Sequence, residues 1–340
     1  MACRPTSPGH SDGFTLIEMM IAITIGLGVI AGLIGVLAAT AAHSRSNGRS
    51  SELMGAGRYA LNVMKQDLRQ AGFRGYTRAE PAAPAPMVIG DECLEPGAAA
   101  GSFVANLRQA IWGANDANPF SSNCIPATSY ATLNDIVVLR SLAGNALAAG
   151  VALDADTVYF RSSYAGGQLF RGTQAACTEA PAASAAPPFN LAPCMAATPF
   201  TDLNDFALQI HVYYVSPFTV SASEVPRVPA LFRVSLRSDG TMARELVASG
   251  IEHMQLQYGR LSSAGDTQYL DAGALSGSSF EPASTAWDDV HSVRLWLLAR
   301  SESPEPGYSN TSSYAMGDRV FRVADGYRRR LFSTVVQLRN

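Results

Sequence analysis

Among the residues whose types could do chemistry, Glu18 stands apart as the only charge between Phe14 and Ala42 in an otherwise apolar run. A charge inside a membrane span costs several kcal/mol. A buried carboxylate persists only where a cation or a set of donors satisfies it. Four cysteines follow the run (Cys93, Cys124, Cys177 and Cys194), and Cys3 precedes it. An even set on one side of a span suits two disulfides in an oxidising compartment, although four cysteines allow three pairings. Joining neighbours, Cys93–Cys124 and Cys177–Cys194, is the favoured arrangement, because each bridge would close a Pro/Ala-rich loop for about 3 kcal/mol. The alternative is four buried free thiols.

Enzyme chemistry needs a constellation, and the chain contains no G-x-S-x-G elbow, P-loop, C-x-x-C or H-E-x-x-H. His10, His43, His211, His253 and His291 are scattered and read as partly buried or surface side chains. Asp154 and Asp156 lack the further loop ligands that calcium requires and read as turn residues. No metal, cofactor or catalytic residue is expected. Asn310-Thr-Ser matches a glycosylation acceptor, a pattern with meaning only in a eukaryotic secreted protein. Arg328, Arg329 and Arg330 form a basic run. It is either a solvated strand end or a docking surface, since guanidinium groups make planar bidentate pairs. Trp112, Trp287 and Trp296 read as core. The net charge of -3 excludes broad nucleic-acid binding, which needs a basic face. With 340 residues the chain can form one large domain or two smaller ones.

The element that must position Glu18 is a helix. The apolar run exceeds the about 20 residues needed to cross a hydrocarbon core. A secretory signal peptide has a basic leader, a shorter apolar stretch and a cleavage site after it. Here the leader MACRPTSPGHSDG is weakly charged and the run is too long. Arg4 precedes the run while Arg45 and Arg49 follow it, so flanking charge does not orient it. Gly28 and Gly32 make a GxxxG pair, a spacing that lets helices approach closely in a bilayer, although glycine is common in membrane helices. Further on, Leu53, Gly57, Leu61, Met64 and Leu68 recur at steps of three or four, an amphipathic stripe. Gly72 and Gly75 supply the stop. One helix is predicted from about residue 14 to 71, with a weak point at Asn47-Gly48.

Residues 79–130 read mainly as loop, with a short helix around 103–112. Strand signals recur at 135–142, 156–162, 206–216, 230–238, 245–260, 290–301 and 329–340. Alternation across 231–237 suggests a half-exposed antiparallel sheet, and Ser238-Asp239-Gly240 reads as a turn. No crossover helices recur between strands, which argues against a parallel fold. The low-complexity stretches 179–193 and 259–286 read as surface loops. The fold class is α+β, with antiparallel sheet packed on the outer half of a long helix.

The motif G-F-T-L-I-E at Gly13 to Glu18, followed by the apolar run, resembles the type III signal of type IV prepilins and type II secretion pseudopilins. The resemblance implies that prepilin peptidase cuts between Gly13 and Phe14 on the cytoplasmic side and that the new amine of Phe14 is methylated. Glu18 would then pair with the Phe14 amine, either its own or that of a neighbouring subunit, and the resemblance favours the neighbour, whose pairing would set axial register. Gly28 and Gly32 would pack in the filament core. A glutamate at headgroup level in a plain signal anchor is the alternative.

GRYALNVMKQDLRQAGFRGY (57–76), VRLWLLARS (293–301) and YRRRLFSTVVQLRN (327–340) resemble the PilW-type minor pilins. That resemblance implies the pilin plan of a long N-terminal membrane-spanning helix and a C-terminal head. The leader would span 1–13, the transmembrane and filament-core helix 14–42, its amphipathic outer half 43–76 and the α+β head 77–340. It implies a structural component of the type IV pilus (fimbrium) that helps initiate assembly at the tip. Its partners would be prepilin peptidase, other minor pilins, the major pilin and a tip adhesin, with no direct nucleic-acid binding. It would sit in the inner membrane with a periplasmic head, then in the pilus at the cell surface. The alternatives are a J-type pseudopilin of type II secretion, or a signal-anchored periplasmic enzyme or sensor.

Overall fold

The structure, a computed structural model, describes residues 13, 15–77, 106–120, 124–148, 151–163, 166–172, 204–262, 265–277 and 284–338. They divide into two compact units at the boundary between Ser51 and Glu52. Helix α1 (Leu16–Gln70) is one unbroken element that begins in the first unit and ends in the second, and Asn47-Gly48 does not interrupt it. Its N-terminal part is long and apolar enough to cross a membrane. The leucines, isoleucines and valines there are solvent-exposed in the isolated chain.

In the second unit the helix buries the stripe Leu53, Gly57, Ala60, Met64 and Leu68, ending on Ala71. Ala60 takes the buried place that spacing assigned to Leu61, which lies half-buried beside it. The helix stops where expected, at Gln70. Gly72 adopts φ 83° and gives its N–H to the Arg140 carbonyl, while Gly75 adopts φ 70°.

Thirteen strands follow among the described residues. They are β1 (Ile111–Ala114), β2 (Ile136–Leu142), β3 (Val158–Ser163), β4 (Gly166–Arg171), β5 (Asn204–Ser216), β6 (Ala230–Leu236) and β7 (Met242–Ser249). Then come β8 (Ile251–Leu261), β9 (Thr267–Leu270), helix α2 (Ala272–Ser276), β10 (Val290–Arg300), β11 (Ser313–Met316), β12 (Arg319–Arg322) and β13 (Arg329–Gln337). Every pairing is antiparallel. One sheet runs β1-β2-β5-β3-β4, with β6 added on β5 and β7 on β6. A second runs β13-β10-β8-β9, and β11-β12 is a separate hairpin. Among the described residues the class is therefore α+β: one long apolar N-terminal helix and a C-terminal antiparallel head.

Several expectations need correction. Ile111 and Trp112 open strand β1, while 106–110 are turn and irregular backbone, so the short helix is absent over its described part. The stretch 245–260 is two strands in two sheets, because Gly250 turns between them at φ 75°. A Cβ there would lie 2.8 Å from the Arg300 carbonyl oxygen, so the corner needs glycine. The alternation in 231–237 leaves a face that is wet only at its end, since Arg233 is partly exposed and Ser235 is buried, while Arg237, just past the strand, is exposed. The segment 259–286 is not simply surface loop, because it contributes β9, α2 and the buried Ala272 and Leu275. The Ser/Gly-rich composition hid these few apolar anchors.

Trp287, just beyond that segment, packs against Trp112 with ring centres 6.3 Å apart and meets the Tyr258 ring at 4.7 Å, closing the core between the sheets. Trp296, expected in the core, is only half-buried. The open length of β8 is capped by the two residues that precede β2. Asn134 Oδ1 accepts the Met254 N–H and Asp135 Oδ2 accepts the Leu256 N–H, both at 2.7 Å. The turn at Ser238-Asp239-Gly240 joins β6 to β7 as expected, with Asp239 Oδ1 accepting the Thr241 N–H at 2.9 Å.

Candidate assembly interface

At the N-terminal end, Thr15 and Glu18 form the start of α1. Thr15 Oγ1 accepts the Glu18 N–H at 3.3 Å, and its carbonyl accepts the same N–H at 3.1 Å. This T-x-x-E arrangement places Glu18 in the first turn, where a carboxylate also complements the helix dipole. Reading the apolar run alone misses this second, local reason for Glu18, although the spacing Thr15-Leu-Ile-Glu18 displays it. Glu18 and Gly13 are exposed; Phe14 lies outside the described residues. Gly28 and Gly32 face open space, with nothing within 4 Å of an added Cβ. In the isolated chain these positions form an unfilled small-residue surface.

At the C-terminal end of α1, Asp67 fastens the helix to the sheet. Three strand side chains converge on its Oδ2: His211 Nδ1 at 2.6 Å, Tyr213 O–H at 2.5 Å and Arg233 at 3.2 Å. Arg233 reaches on to Glu245 at 2.9 Å, carrying the network from β6 to β7. Burial opposes ionisation of Asp67, but the hydrogen bond and charge of His211, with help from Tyr213 and Arg233, hold the carboxyl below its ordinary value. The Tyr213 phenol moves the other way, raised by burial and by the neighbouring carboxylate. Sequence reading missed this hub. Asp67 sits beside the apolar stripe, and its partners lie far along the chain, where only position on one strand face relates them.

The basic run at β13 divides by residue. Arg328 pairs with Glu305, and its guanidinium lies 4.4 Å from the centre of the Tyr308 ring. Arg329, whose side chain is 2% exposed, binds Glu252 at 2.5 Å and Asp325 at 2.6 Å. Arg330 is exposed. Two of the three arginines are thus engaged inside the head, and Arg330 alone presents an open cation. Nearby, His253 stacks on Phe321 with ring centres 3.7 Å apart. Burial lowers its pKa to about 4. Among the described residues no group of three His, Cys, Asp or Glu side chains is placed to hold a metal ion.

Cys124 is fully buried and disulfide-bonded. Cys93, Cys177 and Cys194 lie outside the described residues, as does the whole segment 179–193 between the last two.

No curated protein and no solved structure matches the chain. A family model does match, and it covers β13, β10, Arg328 to Arg330 and most of the Asp67-binding strand face, but not α1. Residues 212–340 match the family model of PilW, type IV pilus-assembly protein W.

Proposed function

We infer that the chain is a minor pilin, a structural component that helps initiate type IV pilus assembly in the tip complex. The observation that carries the reading is the joint presence of the G-F-T-L-I-E motif on a long apolar helix and PilW-type sequence from 212 to 340. Prepilin peptidase cuts after Gly13, the leader 1–13 is lost, and the Phe14 amine is methylated. That amine is a cation for Glu18, which has no ion pair among the described residues, so proteolysis creates the partner and a neighbouring subunit presents it. The segment 14–42 anchors the protein in the inner membrane and then packs in the filament core, where Gly28 and Gly32 give room for close approach. The head, held periplasmic before assembly, meets other minor pilins, the major pilin and a tip adhesin. Its four later cysteines pair as Cys93–Cys124 and Cys177–Cys194. The role is assembly and requires no cofactor; the PilW match favours the pilus over a J-type secretion pseudopilin.

The test is Glu18→Ala in cells that make pili. The variant inserts into membranes at the wild-type level and fails to co-sediment with sheared pili. Wild-type incorporation of Glu18→Ala would remove the register role.

A further inference from the structure

We propose that the open edge of β13 is a strand-pairing interface for an extended segment of a different pilus subunit; the proposal rests on the pilin reading above. Among the described residues, strand β13 forms one border of its sheet and pairs only with β10. The pairing runs from Ser292↔Gln337 to Arg300↔Arg329 without a register shift, so the edge carries no bulge. The Leu338 N–H bonds the His291 carbonyl, and the Arg328 carbonyl accepts the Ser301 N–H, both at 2.9 Å. Even-numbered residues therefore turn their main-chain groups toward β10. Because alternate residues of an antiparallel strand point to opposite sides, Leu331, Ser333, Val335 and Gln337 turn theirs outward.

Natural edge strands are guarded by inward charges, proline, bulges or shortness. From Leu331 to Leu338 this edge has no charge, proline or glycine. Ser333, Val335 and Gln337 are exposed, Val335 at 55%. Phe332, on the opposite face, packs toward Gly57 of α1, which braces that face of the strand. A second strand would complete a ladder here.

Charge decides between occupants. Arg330 is exposed at the start of the edge and belongs to none of the ion pairs that engage Arg328 and Arg329. Parallel pairing of two copies would set Arg330 beside Arg330. Antiparallel pairing of two copies would set it against the uncharged 331–338 stretch. A different chain, presenting an uncharged strand with one carboxylate opposite Arg330, satisfies both the ladder and the cation.

The experiment measures amide exchange at single-residue resolution in the full-length chain in detergent, alone and in the complex isolated with its co-assembled pilus subunits. In the complex, the Leu331, Ser333, Val335 and Gln337 amides slow at least about tenfold, against even-numbered amides protected in both states. Val335→Lys, which adds a guard charge at an exposed site, abolishes that slowing while leaving the even-numbered amides protected. Arg330→Glu weakens co-isolation. Outward amides that exchange equally fast in a complex that does form would overturn the interface and leave the pilin reading standing. Protection that instead grows with concentration of the isolated chain would assign the edge to a second copy and overturn the proposal. A chain that never co-isolates with pilus subunits would remove the pilin reading, and the interface with it.

Discussion

Asp67 is where a single side chain decides most. Its Oδ2 receives His211, Tyr213 and Arg233 together, so removing it strands three donors at once. Breaking one side of a buried pair costs about 3 kcal/mol, chiefly because the remaining charge is left uncompensated. Asp67→Ala therefore lowers head stability by about that much, read as a shift in the denaturation midpoint followed by fluorescence of the buried tryptophans. His253 gives a pH prediction. Its folded pKa of about 4 lies below the ordinary 6.5, so the unfolded chain takes up the proton first. Its contribution is complete above pH 6.5 and is lost as the pH falls toward 4. Burial raises the Asp135 carboxyl, which works in the opposite sense over part of that window. The informative quantity is thus the difference between wild type and His253→Phe, which keeps a ring against Phe321. That difference shrinks between pH 6.5 and 4 by on the order of 3 kcal/mol.

Helices and strands depend on where close approach is allowed. Gly57 sits in the buried stripe of α1, and an added Cβ would fall 2.1 Å from the Phe332 ring of β13. The helix and the last strand meet only because that side chain is missing. Gly57→Val combines this overlap with a β-branched residue in a helix and costs about 2 kcal/mol, measurable as a lower thermal midpoint of the detergent-solubilised chain. The stripe itself is legible in sequence, because a 3.6-residue period needs only local spacing, and most strands are legible from their β-branched and aromatic runs. What was illegible has specific causes. Gly250 lies inside a continuous strand-like run, and nothing local reveals its left-handed backbone. Ala272 and Leu275 lie in a Ser/Gly-rich segment whose composition says nothing of the core that closes on them. The Asp67 hub joins residues that become neighbours only after α1 is laid on the β5-β6 face.

At the scale of the whole chain, the two ends answer different questions. The C-terminal stretch 212–340 carries the PilW-type sequence, and the N-terminal motif carries the expected processing. Glu18 connects them. In the isolated chain it is a helix-starting residue in a T-x-x-E turn, exposed and capped by Thr15. Its proposed second role begins only after cleavage, when the Phe14 amine becomes available in the next subunit. The most direct measurement is the intact mass of the protein extracted from the membranes of its own cells. A mass corresponding to a chain that begins at N-methylated Phe14 and retains the apolar helix is the predicted result. A chain that still begins at Met1, or one cut beyond the apolar run, would contradict the account.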